Sequence, residues 1–304
     1  MKIFNSTSIS LNYKNSVIAI GNFDGVHIGH KKVLREAMLK AKKLKKKFGL
    51  LTFEPIPVMF FNKNILNHRL DNFSQKISNL KKEKLDFVII QNFNKKFSQL
   101  SYKDFISKII FKKIRCSHLY VSKNFRFGKR RKGNVSKLKK FEKSYHYKTI
   151  ITKPLVKSDK VISSTKIRNL LRNGDIKKVN FLLNRDWEVN GKVIRGSQRG
   201  RKIGFPTCNI ILDKYVVPKS GVYAVKIRIN STIKRGIANV GYRPTFNGKK
   251  LLLEVNIFGF KKNLYNKNIN VIFIKFIRAE KKFKNILELK SQIKKDIKKV
   301  KQNV

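Results

Sequence analysis

The stretch SVIAIGNFDGVHIGHKKVLREAMLKAKKLKKKFG (16–49) decides the fold. SVIAIG (16–21) is a short apolar run ending in glycine, the pattern of a buried strand. Between 31 and 49, Val33, Leu34, Ala37, Met38, Ala41 and Leu44 recur at helical spacing, and Gly49 is expected to cap that helix. Strand, glycine-rich turn and helix in succession predict a ligand site, because open parallel sheets bind ligands where strands end and helices begin. A helix N-terminus offers free N–H groups and partial positive charge, which suits phosphate. Gly21, Gly25 and Gly29 allow close backbone approach, Asp24 is expected to brace the turn, and Phe23 to pack beneath it. His27 and His30, three apart at a helix start, can converge on a phosphoryl group whose charge develops in a transition state.

The same alternation runs through the first half. LLTFEP (50–55), FVIIQNF (87–93) and HLYVSKNF (118–125) read as strands and SYKDFISKIIFKKI (101–114) as a helix, which predicts a parallel sheet with helices on both faces. Near residue 185 the pattern changes. WEVNGKVIRG (187–196), GVYAVKIRIN (221–230), GIANVG (236–241), LLLEVNIFGF (251–260) and INVIFIKFIR (269–278) are short alternating segments parted by turns, a barrel or sandwich pattern. NILELKSQIKKDIKKV (285–300) is a closing helix. The expected domains are 1–184 and 185–304.

Composition bounds the function. No apolar run reaches the ~18 residues of a membrane span, and MKIFNSTSISLNYK lacks a signal-peptide core. Two cysteines, Cys116 and Cys208, make no disulfide framework, so a reduced, cytoplasmic protein is expected. The chain of 304 residues carries 72 basic and 17 acidic residues, a net charge of +55. Either a polyanion partner or drift toward A+T-rich codons, which also enriches Asn, Ile and Phe, accounts for that charge.

Four further features carry chemistry. ISSTKIR (162–168) puts Ser163, Ser164 and Thr165 at a helix start with Arg168 one turn on, either a second phosphate clamp or an ordinary N-cap. GKVIRGSQRGRKIGFPTCNI (191–210) is a basic loop with Gly196, Gly200, Arg201 and Gly204, either a phosphate cradle or a hairpin loop, and not a Walker A sequence. Thr207 and Asn209, two apart after Pro206, share one side of a strand and suit the oxygen shell of a phosphate-bound Mg²⁺. Glu254 interrupts an apolar strand. It faces away from Leu251, Leu253, Val255 and Ile257, and it serves either as a lysine's partner or as a general base for an alcohol.

GNFDGVHIGH and ISSTKIR resemble the nucleotidyltransferases that transfer AMP or CMP from a nucleoside triphosphate. With LTFEPIPVMFF, QNFNKKFSQLSYKDFI and VSKNFRFGKRRKGNVSKL, the first half is similar to the N-terminal half of the bacterial bifunctional riboflavin kinase/FMN adenylyltransferases. GKVIRGSQRGRKIGFPTCNI, GVYAVKI, GIANVGYRPTF, LEVNIF, NLYNKNINVIFIKFIR and the helix with LKSQIKKDI resemble the riboflavin kinase module. The resemblance implies a Rossmann-like nucleotidyltransferase domain followed by a six-stranded Greek-key barrel with a terminal helix. It implies ATP and Mg²⁺ acting with riboflavin and FMN, giving FMN and then FAD. Thr207 and Asn209 carry over as Mg-ATP ligands and Glu254 as the base. Phe125 and Phe127, with Asn124 and Arg126, are either neighbours of a flavin or adenine ring or core aromatics of a strand. FMN's phosphate is already an anion at neutral pH, so adenylyl transfer needs no base, and the first site shows none.

The chain departs from the family at Ile56 (usually His), Asn124 and Asn134 (usually acidic), Cys208 (usually Ala), Gly259 (usually acidic) and Asn266 (usually Gly). Two other readings stand beside the first: a riboflavin kinase whose adenylyltransferase half has decayed, and a basic nucleic-acid-binding protein. Neither a membrane nor a specific nucleic acid is an expected partner, and self-association is left open.

Overall fold

The computed structural model describes residues 1–62, 65, 67–157, 160–196, 198–245, 248–260 and 262–303, with the side chains at 157, 160, 199, 243–250 and 303 left aside. Ser197 and Phe246, in the quoted motifs, lie outside the described residues. The chain divides into two compact units, one of residues 1–65 and 73–163 and one of residues 66–72 and 164–304.

The first unit is built on a parallel six-stranded sheet. Its strands are β1 (Lys2–Phe4), β2 (Val17–Ile20), β3 (Phe48–Glu54), β4 (Phe87–Asn92), β5 (His118–Ser122) and β6 (Lys148–Thr152), in the order β1-β4-β3-β2-β5-β6. A short ribbon, β7 (Val156–Lys157) with β8 (Lys160–Val161), follows. Alternation along buried strands sends side chains to opposite faces. Ile18, Ile20, Leu51 and Ile89 pack with Phe105, Ile106, Ile109 and Ile110 on one face. Val17, Ala19, Leu50 and Val88 pack with Leu34, Ala37 and Ala41 on the other.

Two local expectations need correction. The helix Ile28–Lys43 ends before Lys45, at φ 53°, and Gly49 lies inside β3 rather than at a helix cap. The reason is the neighbouring strand: a Cβ on Gly49 would stand 2.2 Å from the Phe87 ring. The segment 101–114 is α-helical only over Tyr102–Asp104 and then runs as a π-helix, Phe105–Ile114. The wider turn brings Phe105, Ile109, Ile110 and Ile114 to the sheet together, and the Arg115 N–H bonds back five residues to Ile110.

The second unit holds an antiparallel sheet in the order β10-β13-β12-β11-β14-β9, from β9 (Glu188–Lys192), β10 (Cys208–Ile211), β11 (Gly221–Ile229), β12 (Thr232–Thr245), β13 (Gly248–Ile257) and β14 (Asn268–Ala279). Ile194, just past β9, bridges to Asn209 on β10, so the sheet nearly closes as a barrel. Trp187, Tyr215, Tyr223 and Phe273 fill its core. The terminal helix Ile286–Asn303 lays Val300 on Val222, Ala224 and Ile237, and its buried Asp296 takes Arg278 at 2.8 Å.

The helices Ser164–Asn173 and Ile176–Leu183, which the sequence reading groups with the first half, lie in the second unit. So does the segment around residues 67–72. The Trp187 indole donates to the Leu70 carbonyl at 2.8 Å, Val216 N–H to Arg69, and Arg185 holds both oxygens of the buried Asp71 at 2.7 Å. Cys116 and Cys208 are free thiols, and among the described residues no helix is long and apolar enough to cross a membrane.

Candidate active sites

In the first unit the chain steps outward from β2 to β3 and β4, then returns to add β5 on the other side of β2. Such a reversal leaves a crevice at the C-terminal ends of the strands. The turn 21–27 leaves β2 there. Gly21 N–H bonds to Leu51 on β3, and the turn behind it is tight: Phe23, Gly25 and Val26 have φ of 49°, 82° and 37°. For a β-branched residue such as Val26 that is a strained conformation, the kind held in place at functional sites. Phe23, Asp24, Val26 and His27 are buried, which is what fixes it. Beneath it, the buried Lys76 ammonium donates to Thr52 Oγ1 at 2.7 Å, and Thr52 donates to the Asn22 carbonyl at 3.1 Å.

His27 caps the helix: its Nδ1 accepts from His30 N–H at 3.2 Å, so the neutral ring carries its proton on Nε2. The two imidazoles stack at 3.6 Å and 17°, with Phe23 4.8 Å from the His30 ring. Burial first, and then the His27 and Lys76 charges, hold the His30 imidazole well below its usual range. Its Nδ1 is buried and has no hydrogen-bond partner among the described residues. A buried ring nitrogen left open beside a helix N-terminus fits a phosphate oxygen. Ile162, just before Ser163, runs past this helix, since a Cβ on Gly29 would lie 3.5 Å from its carbonyl.

Ser163 closes the first unit, and Ser164, Thr165 and Arg168 open the helix Ser164–Asn173 of the second. Ser164 and Thr165 are accessible at its start; Arg168 is buried and donates through Nε to the His68 carbonyl at 2.7 Å. Burial, with Arg168, Arg172 and Arg69 around it, lowers the His68 imidazole to about 4.

In the KNFRFG stretch, Phe127 is a core side chain, 4.9 Å from Phe105. Phe125 stacks on it at 5.5 Å, half-buried, while Asn124 and Arg126 point to solvent. Asn134 caps the helix Val135–Lys140, and Ile56 is buried. Sequence reasoning missed an aromatic platform at the ends of β3 and β4. Phe61, 66% exposed, packs on Phe60 and Phe93 at 5.2 and 5.7 Å. The pair in PVMFF was its signal, a run of large apolar residues on a helix too short to bury both faces.

In the second unit, Asn209 on β10 stands directly opposite Glu254 on β13, and Glu254 directly opposite Asn239 on β12. Side chains so paired are near neighbours on one face. Leu251, Leu253, Val255 and Ile257 are buried on the other face. Asn239 Nδ2 lies 3.5 Å from Glu254 Oε2 and 3.4 Å from Glu280 Oε1. Asn209 is buried, and its Oδ1 has no partner among the described residues. The glycine-rich loop lies on it: a Cβ on Gly196 would come 2.1 Å from Asn209 Nδ2, and one on Gly200 2.5 Å from the Phe205 carbonyl. Ile194 N–H to Asn209 O at 2.9 Å and Asn256 Nδ2 to Pro206 O at 2.7 Å pin the two ends of the loop. Thr207, Arg201 and Gly204 are exposed along it. Asn266 adopts φ 65°, so it supplies the glycine-like turn conformation at that position. Asn239 was invisible to sequence reasoning, because strand register sets its place.

Comparison with known proteins divides the chain in the same order. The FAD synthetase family matches residues 10–166 and the riboflavin kinase family residues 183–304. The chain is 40% identical over 286 residues to the bifunctional riboflavin kinase/FMN adenylyltransferase of Buchnera aphidicola subsp. Acyrthosiphon pisum, covering 93% of this chain and 91% of that one. The enzymes of the same name from Haemophilus influenzae and Escherichia coli K12 are 39% and 34% identical, each over 92% of this chain and 91% and 90% of their own length. A crystal structure named as a macrolide-efflux protein from Streptococcus pneumoniae matches the fold with a TM-score of 0.87 at 28% identity, over 99% of this chain and 98% of that one.

Proposed function

The chain belongs to the bifunctional riboflavin kinase/FMN adenylyltransferase family, and we propose that its two activities are carried by the two sites described above. It phosphorylates riboflavin to FMN and adenylylates FMN to FAD, each with ATP. The functional ranges we assign are 1–184 for adenylyl transfer and 185–304 for the kinase.

In adenylyl transfer, an FMN phosphate oxygen attacks the α-phosphorus of ATP and the bond to pyrophosphate breaks. The nucleophile is already ionised, so the residues need only place charges and exclude water. His27, with its proton on Nε2, and His30, with its open Nδ1, are assigned to the triphosphate beside the start of the helix Ile28–Lys43. The turn 21–29 holds them, with Ser163, Ser164, Thr165 and Arg168 as the second phosphate-binding group. Phe61, with Phe60 and Phe93, offers a face on which a flavin ring can stack.

In the kinase reaction, riboflavin's 5′-hydroxyl gives its proton to the Glu254 carboxylate as its oxygen attacks the γ-phosphorus, and ADP departs. Thr207 and Asn209 would hold Mg²⁺ with ATP, and the ion would offset charge on the phosphates. The glycine-rich loop with Gly196, Gly200, Arg201 and Gly204 is assigned to cradle those phosphates. The observation that carries this reading is the buried Asn209 Oδ1, without a partner among the described residues, on the residue directly across from Glu254. We place the protein in a reducing cytoplasm, which fits the two free thiols.

The test is to incubate the protein with riboflavin, ATP and Mg²⁺ and separate the flavins by chromatography with fluorescence detection. FMN followed by FAD is expected. Glu254→Gln should stop FMN formation and spare FAD formation from added FMN; His30→Ala should do the reverse. Loss of both reactions in either folded variant would rule out separate sites.

A further inference from the structure

The turn 21–29, assigned above to the triphosphate, rests on a buried charge that the roles of His27 and His30 do not use. Leu51 and Thr52, adjacent on β3, grip adjacent residues of the turn. The Leu51 carbonyl takes the Gly21 N–H at 3.1 Å, and the Thr52 hydroxyl donates to the Asn22 carbonyl at 3.1 Å. The second bond holds the peptide that enters Phe23, whose φ of 49° begins the strained run through Val26. Lys76 Nζ donates to the same Thr52 oxygen at 2.7 Å. An ammonium has three donors and no acceptor, so toward Lys76 the hydroxyl can only accept, and its own hydrogen is left to point at Asn22. A charged donor on that oxygen also strengthens the bond the hydroxyl makes onward. Lys76 sits on the helix Phe73–Lys81 with the buried Ile77 and Leu80, and it is the one buried lysine among the described residues. Codon drift can scatter lysines over a surface; it does not offset the desolvation of an ammonium in an apolar layer, where an apolar side chain of similar volume would pack as well.

We propose that Thr52 and Lys76 are positioning residues for adenylyl transfer: together they lock the turn 21–29 so that His27 and His30 meet the triphosphate in a fixed geometry. This rests on the reading of that turn as the triphosphate site. Lys76 sets the direction of the Thr52 hydroxyl, Thr52 sets the Asn22 peptide, and that peptide sets where the turn leaves β2. The support lies behind the turn, in buried side chains of β3 and a neighbouring helix, so it holds the site without touching what binds there. The ammonium is also near enough for its charge to bear on the His30 ring.

The experiment is FAD formation from added FMN, ATP and Mg²⁺ by the full chain, with kcat and the KM for each substrate taken separately. The variants are Thr52→Val, Thr52→Ser, Lys76→Met, the double variant of Thr52→Val with Lys76→Met, and His30→Ala. Valine keeps the volume of Thr52 and removes its hydroxyl; serine keeps the hydroxyl and removes the methyl group. Positioning predicts that Thr52→Val loses roughly 10- to 100-fold in kcat, the scale of a misplacement of up to about 1 Å, with the KM for FMN little changed. Thr52→Ser should stay close to wild type. A packing role alone predicts the reverse order, with the smaller side chain the worse, and that order would overturn the inference. Lys76→Met should lose at least as much as Thr52→Val, and the double variant should be no slower than Lys76→Met alone, since both act on one carbonyl. Single effects that multiply in the double variant, or Lys76→Met at the wild-type rate, would also overturn it. The Thr52 pair decides the question even where Lys76→Met does not fold. His30→Ala at the full wild-type rate would instead remove the triphosphate from this turn, and with it the reading beneath the inference.

Discussion

Gly196→Ala places a methyl group where the Asn209 amide now sits. The added carbon would lie 2.1 Å from Nδ2 and 3.0 Å from Cγ, about 1.3 Å inside the 3.4 Å at which ordinary contact begins. Asn209 cannot simply retreat, because its backbone carbonyl takes the Ile194 N–H and its side chain is buried between the loop and Glu254. Relief must come from moving the loop or the amide by about 1 Å. A misplacement of that size in a catalytic constellation costs roughly 100-fold, or about 2.7 kcal/mol of transition-state stabilisation. The fold should lose about 1–3 kcal/mol from overpacking. The assay is riboflavin phosphorylation under saturating ATP and Mg²⁺, with conversion of added FMN to FAD as the internal control, which should stay at the wild-type rate. Asn209→Ala removes the clashing group, so the double variant should be no slower than Asn209→Ala alone. A Gly196→Ala enzyme at full kinase rate, or a double variant slower by the product of the single effects, would refute the claim that the loop acts through Asn209.

Asp71→Ala leaves the partly buried Arg185 guanidinium without its two-oxygen acceptor and should cost roughly 3 kcal/mol, read as an earlier midpoint in urea unfolding. Acid should weaken the fold through His30 and His68. Both imidazoles are depressed in the folded state, His68 from 6.5 to about 4, so stability is full above 6.5 and falls as the unfolded chain takes up protons between 6.5 and 4. His68→Asn should flatten that slope in denaturation series at pH 7, 5.5 and 4.5; an unchanged slope would mean that His68 does not contribute.

The sheet strands were legible because each is an apolar run bounded by a turn, and the His pair because its spacing matches a helix start. The alternation around Glu254 was equally plain, since Leu251, Leu253, Val255 and Ile257 left it on the opposite face. What stayed hidden depends on long-range packing. Gly49 reads as a cap until the Phe87 ring on β4 takes its space. The π-helix has the same apolar content as an α-helix, and only the sheet it covers selects the wider pitch. Phe127 and Phe61 look equally able to meet a ring; one is buried against Phe105 and the other stands in solvent. Asn239 gains its neighbour only through the β12–β13 register.

The docking of residues 66–72 into the second unit bears on genetic separability. The chain passes between the units three times, at 65/66, 72/73 and 163/164. A gene cut at 184/185 would strip the kinase half of the carbonyl that receives the Trp187 indole and of the acid that holds Arg185. It would also remove the helix Ile176–Leu183, whose Asn180 tethers Trp187 N–H and the Phe273 carbonyl. Fission of this gene into two independent products would therefore need new partners for those groups, a barrier that favours keeping both activities on one polypeptide.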